Sequence, residues 1–274
     1  FDEPRPIPDF HLEMWALCFS PKKQVAIAAP RNHAKSSAIT FAYILYMLWR
    51  RKARHVLILG SNEDLASQFV NEIKVELREN DALAKLFGVE RFLKDKENEF
   101  VVRLSDGHTF RVICKGASQR MRGLKWERKR PDLVVFDDME DEDIVLTDAR
   151  RDKFRRWFYG AVRPIIKSGG AIRGVGTIIG YDSLLERMMP PEKSKETVNE
   201  PLRSYSINNE RAWLAVKYRA HDEEFTESLW PEQLGYLRAG SCCENCFHCW
   251  RDGCRRIPQH SGCEARPLGR IANH

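Results

Sequence analysis

No stretch of this 274-residue sequence could cross a bilayer. The longest apolar run, Phe41 to Trp49, is far short of the ~20 residues a membrane helix needs. The opening Phe-Asp-Glu-Pro-Arg-Pro has neither an initiator Met nor a secretory-signal pattern, so the true start is expected upstream. Cysteine is scarce: of eight, only Cys18 and Cys114 precede residue 241, each beside apolar residues. That excludes a disulfide framework for the body and points to a soluble cytoplasmic protein. There is no internal repeat. Nor is there a large excess of one charge: 45 Lys+Arg against 39 Asp+Glu give a net +6, which permits a nucleic-acid partner without demanding one. What is present is a core-forming composition, 43% hydrophobic, which excludes global disorder.

Short apolar runs alternate with helix-length segments. Residues 1–10, with three prolines, read as an extended arm, and His11 to Phe19 as a short helix. Gln24 to Ala29, His55 to Gly60, Asp132 to Phe136 and Gly170 to Gly176 read as buried strands. Ser36 to Arg51, Asn62 to Asn80, Thr147 to Tyr159 and Ser183 to Met189 read as helices, the second with Leu65, Phe69, Ile73 and Leu77 on its apolar face. Asp106-Gly107 between Phe100–Leu104 and Thr109–Cys114 signals a hairpin. The alternation predicts an α/β fold: a mostly parallel central sheet with helices on both faces.

After the first strand comes Ala29-Pro30-Arg31-Asn32-His33-Ala34-Lys35-Ser36-Ser37. Its spacing is that of the Walker A loop G-x-x-x-x-G-K-[ST], with both glycines replaced by alanine. Such a loop wraps phosphates in backbone N–H groups, its Lys reaches the β/γ oxygens and its hydroxyl holds Mg²⁺. A strand-to-helix turn favours bound anions in any case. Leu133-Val-Val-Phe-Asp137-Asp138 is an apolar strand ending in acid, as in a Walker B segment, with Asp137 placed for Mg²⁺ and Asp138 or Glu140 for polarising a water. Acid runs such as 137–143 also occur as plain solvated loops; the conjunction with the Lys-Ser loop is what points to a nucleotide site, which the resemblance below makes one for ATP. Val175-Gly176-Thr177 closes the next strand, where a polar residue can sense the γ-phosphate.

Ala-Pro-Arg-Asn-His-Ala-Lys-Ser resembles the variant Walker A loop of bacteriophage large terminase subunits, the ATPases that pump DNA into procapsids. Arg130-Pro-Asp-Leu-Val-Val-Phe-Asp-Asp-Met-Glu140, Val175-Gly-Thr177 with Asp182-Ser-Leu-Leu185, and Ser228-Leu-Trp-Pro231 resemble further blocks of that family in the same order, over about residues 5–238. The resemblance implies a P-loop NTPase of the additional-strand type. Lys35 and Ser36 become phosphate and Mg²⁺ ligands, Asp137 the Walker B acid and Thr177 the coupling residue. The base is Asp138 or Glu140. Phe10, His11 and Trp15 fall in an adenine-contacting segment, with Phe10 and Trp15 equally readable as plain core residues. Arg122 in Met-Arg-Gly, or Arg120, is expected to reach a neighbouring subunit's γ-phosphate, with Arg31 acting similarly in cis.

The resemblance also implies double-stranded DNA, a portal protein, a small terminase subunit and a homo-oligomeric ring as partners, with no membrane, in the host cytoplasm. Residues 103–131, with nine Lys+Arg against two acids, could track DNA phosphates. The expected organisation is an N-terminal arm and adenine-side segment (1–22), the ATPase core (23–190), a lid and linker (191–240) and a Cys-rich tail (241–274). The tail's Glu244, Asp252 and Glu264 are too few for a metal-dependent nuclease core, so hydrolysis without DNA cutting is expected. Its Cys243, Cys246, Cys249 and Cys254 could bind zinc, but the composition reads as an unstructured or foreign extension. Two other readings fit: another P-loop ATPase acting on nucleic acid, or a DNA-binding scaffold with a decayed loop.

Overall fold

The computed structural model describes residues 6–121, 123–191, 194–206 and 213–231. Helix α1 (Asp9–Phe19) leads into strand β1 (Gln24–Ala28). A π-helical stretch, Ser37–Tyr43, runs on into α2 (Ile44–Trp49). Then follow β2 (His55–Gly60), α3 (Glu63–Glu79), α4 (Asp81–Phe87), β3 (Val89–Lys96), β4 (Glu99–Leu104) and β5 (Thr109–Gly116). Strand β6 (Leu133–Asp137), α5 (Glu142–Val145), α6 (Asp148–Trp157), β7 (Ala171–Gly176) and α7 (Leu184–Met188) come next. Strands β8 (Thr197–Asn199), β9 (Arg203–Ser206) and β10 (Leu214–Tyr218) complete the series.

All ten strands form one sheet in the order β3-β4-β5-β2-β6-β7-β1-β10-β9-β8. The six central strands, β5 to β10 in that order, are parallel, and antiparallel pairs flank them on both sides. The strand bearing the loop, β1, and the strand ending in Asp137, β6, are not neighbours: β7 lies between them. This interposed strand is the additional strand that the resemblance implied.

Both faces of the central strands are covered, which is why these strands read as unbroken apolar runs. Val25, Ile27, Val56, Ile58 and Val135 pack on one side with α1, α2 and α3; Ala26, Leu57, Leu59, Val134 and Phe136 pack on the other with Phe154, Phe158, Leu184 and Leu185. The helix starts are locally specified. The Asn62 side chain accepts from Leu65 N at 2.8 Å to begin α3, and Asn80 accepts from Leu83 N at 3.1 Å to begin α4. Helix α3 buries Ala66, Val70, Ile73 and Leu77, a true 3.6-residue stripe; Leu65, expected inside from the strict four-residue series, is exposed. Arg151 and Arg155 are mostly covered and pair with Asp182, which ties α6 to the segment before α7.

Candidate nucleotide site

The loop between β1 and the π-helical stretch lies at the C-terminal edge of the sheet, beside the ends of β6 and β7. Ala29 N donates to Gly176 O at 3.0 Å, fixing the loop's start against β7. Two loop residues are left-handed, Asn32 (φ 62°) and Ala34 (φ 47°). Asn tolerates that region, whereas Ala34 occupies it at a steric cost, in the position where the loop motif carries its second glycine. Ala29, at the first glycine position, has an ordinary backbone, so its methyl costs nothing there.

His33 anchors the loop from below. It is buried, and its Nδ1–H donates to Arg31 O at 2.7 Å, while His11 Nε2–H donates to His33 O at 2.8 Å. Burial holds both imidazoles below their ordinary pKa, with Lys35 pushing His33 the same way, so both are neutral near pH 7. Phe10, His11 and Trp230 pack around His33 with ring separations of 5.9 Å (Phe10–His33), 6.4 Å (His33–Trp230) and 5.3 Å (His11–Trp230). Phe10 and His11 are thus buried beneath the loop, and Trp15 donates its indole N–H to Ala38 O at 2.9 Å.

Lys35, Asp137, Asp138 and Thr177 converge. Lys35 Nζ lies 3.2 Å from Asp138 Oδ2, and Asp138 Oδ1 accepts from Thr177 N at 2.7 Å. One exposed carboxylate therefore joins the loop to the end of β7. Asp138 is itself left-handed (φ 36°), a strained turn of the kind that collects at functional sites. Gly176 keeps the approach open: a Cβ there would lie 3.2 Å from Asp138 Oδ1.

Asp137 is buried. Thr40 donates its hydroxyl to Oδ2 at 2.5 Å, and Oδ1 has no hydrogen-bond partner of good geometry among the described residues. Burial pushes its carboxyl up to about 6; Thr40 pulls it back down, Asp138 pushes it up, and Ser36 and Lys35 pull it down. Hard oxygen donors, one of them a buried acceptor in need of a partner, are what Mg²⁺ takes. Residues Ser36 and Asp137 therefore fit that ion. Thr40 was missed from sequence, yet it stands one helical turn after Ser36, the i,i+4 spacing that puts two hydroxyls on one helix face.

Glu140 is placed differently. Its Oε1 accepts from Leu184 N at 2.7 Å and its Oε2 from Leu185 N at 2.9 Å, so both oxygens are committed to the first turn of α7. Burial raises its pKa, opposed by those two N–H groups and by Arg155. Arg31 is exposed on the loop and Ser37 at the start of the π-helical stretch, and Thr177 Oγ1 is buried without a hydrogen-bond partner among the described residues. Arg122 and the tail 241–274 lie outside the described residues; Arg120 is described but is not among the groups brought together here.

Neither a protein-family model nor a curated protein matches the sequence. Solved structures do match. The large terminase ATPase domain of Thermus phage P74-26 superposes with a TM-score of 0.53 at 15% identity, covering 80% of this chain and 82% of that one. An arginine-to-alanine mutant of the same domain gives 0.55 at 16% identity, covering 84% of each. The chain thus has the fold of the large terminase ATPase domain of Thermus phage P74-26.

Proposed function

We propose that this chain is an ATP-hydrolysing motor domain that moves double-stranded DNA into a phage procapsid. The observation that carries the reading is the convergence of Lys35, Asp137, Asp138 and Thr177 across the interposed strand β7. In this reading the backbone of residues 29–36 wraps the phosphates, and Lys35 binds β- and γ-phosphate oxygens in place of its ion pair with Asp138. Ser36 and Asp137 would hold Mg²⁺, which when bound offsets the charge on those phosphates. Asp138, exposed and one residue past the strand end, orients the attacking water and accepts its proton. Through Thr177 N it reports the state of the γ-phosphate to β7. Glu140, by contrast, is a positioning group: it locks α7 to the β6 turn, so that turn and helix move together.

The partners follow from the same reading: duplex DNA, a portal, a small terminase subunit and further copies of the chain in a ring. Arg122, or Arg120, would serve a neighbour's site, and Arg31 its own. Hydrolysis without nuclease activity belongs to the proposal, as does cytoplasmic action; no helix among the described residues is long and apolar enough to cross a membrane. The test is ATP turnover by the purified chain with and without double-stranded DNA. Stimulation by DNA supports the motor. Turnover indifferent to DNA assigns another P-loop ATPase, and no turnover assigns a decayed loop.

A further inference from the structure

The opposite edge of the sheet carries a second feature. Because β5, β2, β6, β7 and β1 are parallel and adjacent, the segments that enter them line up along the N-terminal edge, away from the nucleotide loop. Hydrogen bonds confirm the alignment: Arg54 N donates to Asp132 Oδ1 at 3.1 Å, Lys167 N to Pro131 O at 2.9 Å, and Ile172 N to Lys23 O at 2.7 Å. At ~4.8 Å per strand, this row spans roughly 19 Å. Residues 20–23, 50–54, 105–109, 123–132 and 163–170 hold twelve Lys+Arg against three acids, Asp106, Glu127 and Asp132. Each of those acids is already engaged, by Arg51, Arg54 and Lys167 respectively. The edge therefore presents a net excess of cations.

It includes a two-residue hairpin. Trp126 and Lys129 exchange backbone hydrogen bonds at 2.9 Å, and the two residues between them, Glu127 (φ 47°) and Arg128 (φ 64°), are both left-handed. Turns of this kind normally use Asn and Gly. Holding two other residues there costs roughly 1–2 kcal/mol each. The neighbours hold it: the Arg54 guanidinium lies 5.0 Å over the Trp126 ring and pairs with Glu127 at 2.6 Å, and the ring meets His55 edge-on at 6.0 Å. The result is a rigid tip from which Lys125, Arg128 and Lys129 stand exposed, with no ion-pair partner among the described residues. None of the large exposed apolar side chains falls in these five segments. A protein interface of useful affinity needs an apolar centre, whereas a phosphate backbone needs only spaced cations.

We infer that this edge, with the 126–129 hairpin as its tip, is a docking surface for the phosphate backbone of duplex DNA, separate from the nucleotide site. The inference rests on the DNA-motor reading, and it places the DNA contact on the far side of the sheet from the hydrolytic groups. The experiment compares the wild-type chain with the triple variant Lys125→Gln, Arg128→Asn, Lys129→Gln; Asn suits the left-handed position, so the hairpin is retained. Binding of a labelled 30-base-pair duplex is followed by fluorescence anisotropy from 50 to 200 mM salt, alongside DNA-free ATP turnover. Each lost phosphate contact makes the log–log salt slope shallower by about 0.9. Three lost contacts mean that wild-type affinity should fall about 40-fold more than the variant's over that range. DNA-free turnover should be unchanged. Equal slopes and affinities would overturn the surface while leaving the motor reading intact. Failure of the wild type to bind duplex at all would overturn both. Normal duplex binding by the variant, with loss of polyglutamate binding, would assign the edge to an acidic protein and also overturn the inference.

Discussion

Removing the Glu140 carboxylate separates two jobs that the run of acids after β6 could perform. In Glu140→Ala, the N–H groups of Leu184 and Leu185 lose acceptors at 2.7 and 2.9 Å. A buried donor left without a partner costs about 1–3 kcal/mol. Glu140 is only partly shielded, so water can reach the gap, and about 2 kcal/mol for the pair is a fair expectation. For a chain of this size that lowers Tm by roughly 4–8 °C. Glu140→Gln keeps one acceptor oxygen and should fall between. In both variants nucleotide affinity should stay near wild type, because neither oxygen faces the loop. Asp138→Asn should behave in the opposite way: Tm nearly unchanged, nucleotide still bound, turnover down by roughly 10²-fold or more, as for loss of a general base. Calorimetry, a fluorescent-nucleotide titration and a phosphate-release assay on the three variants decide it. Loss of turnover in Glu140→Gln at unchanged Tm and affinity would refute the assignment and make Glu140 the base.

Asp137 must be ionised to hold a cation, and burial has pushed its carboxyl up to about 6, so turnover at limiting Mg²⁺ should fall as pH drops through about 6, and added Mg²⁺ should shift that limb to lower pH. Thr40→Ala removes a bond favouring the charged form and should move the limb upward; a pH–rate profile that ignores Thr40 would count against Asp137 as the ligand. Ala34→Gly relieves the left-handed strain at φ 47° and should leave Tm unchanged or raise it by a few degrees, whereas a clear drop would mean that the loop is not built as described. Gly174→Ala should destabilise by about 1–3 kcal/mol, read in urea melts, since its Cβ would lie 1.9 Å from Phe136 Cζ.

Much of the central sheet was legible because parallel strands buried on both faces leave a plain signal: Val56 to Gly60 and Leu133 to Phe136 are apolar throughout. The margins were not legible. Strand β3 alternates exposed charge with half-buried Val89 and Phe92, and β8 is three residues long, so neither leaves a run to detect. Strand β10, Leu214–Tyr218, is apolar enough, but its place beside β1 is a tertiary fact that no local pattern carries. At the site, the Lys-Ser loop and the Asp-Asp strand end could be read from spacing. The division of labour between Asp138 and Glu140 could not, because it depends on which oxygens the α7 backbone claims. Thr40 was hidden for a related reason: a hydroxyl in an apolar helix is ordinary until its partner across the sheet is known.

The measurement that bears most directly on the central claim is ATP turnover by Lys35→Ala beside the wild type, in the presence of duplex DNA, with circular dichroism to confirm folding. Lys35 contributes little to the core and is held by an exposed carboxylate at 3.2 Å, so the variant should fold normally and lose hydrolysis almost completely. Near wild-type turnover in a folded Lys35→Ala chain would contradict the assignment of residues 29–36 as the phosphate loop, and with it the motor.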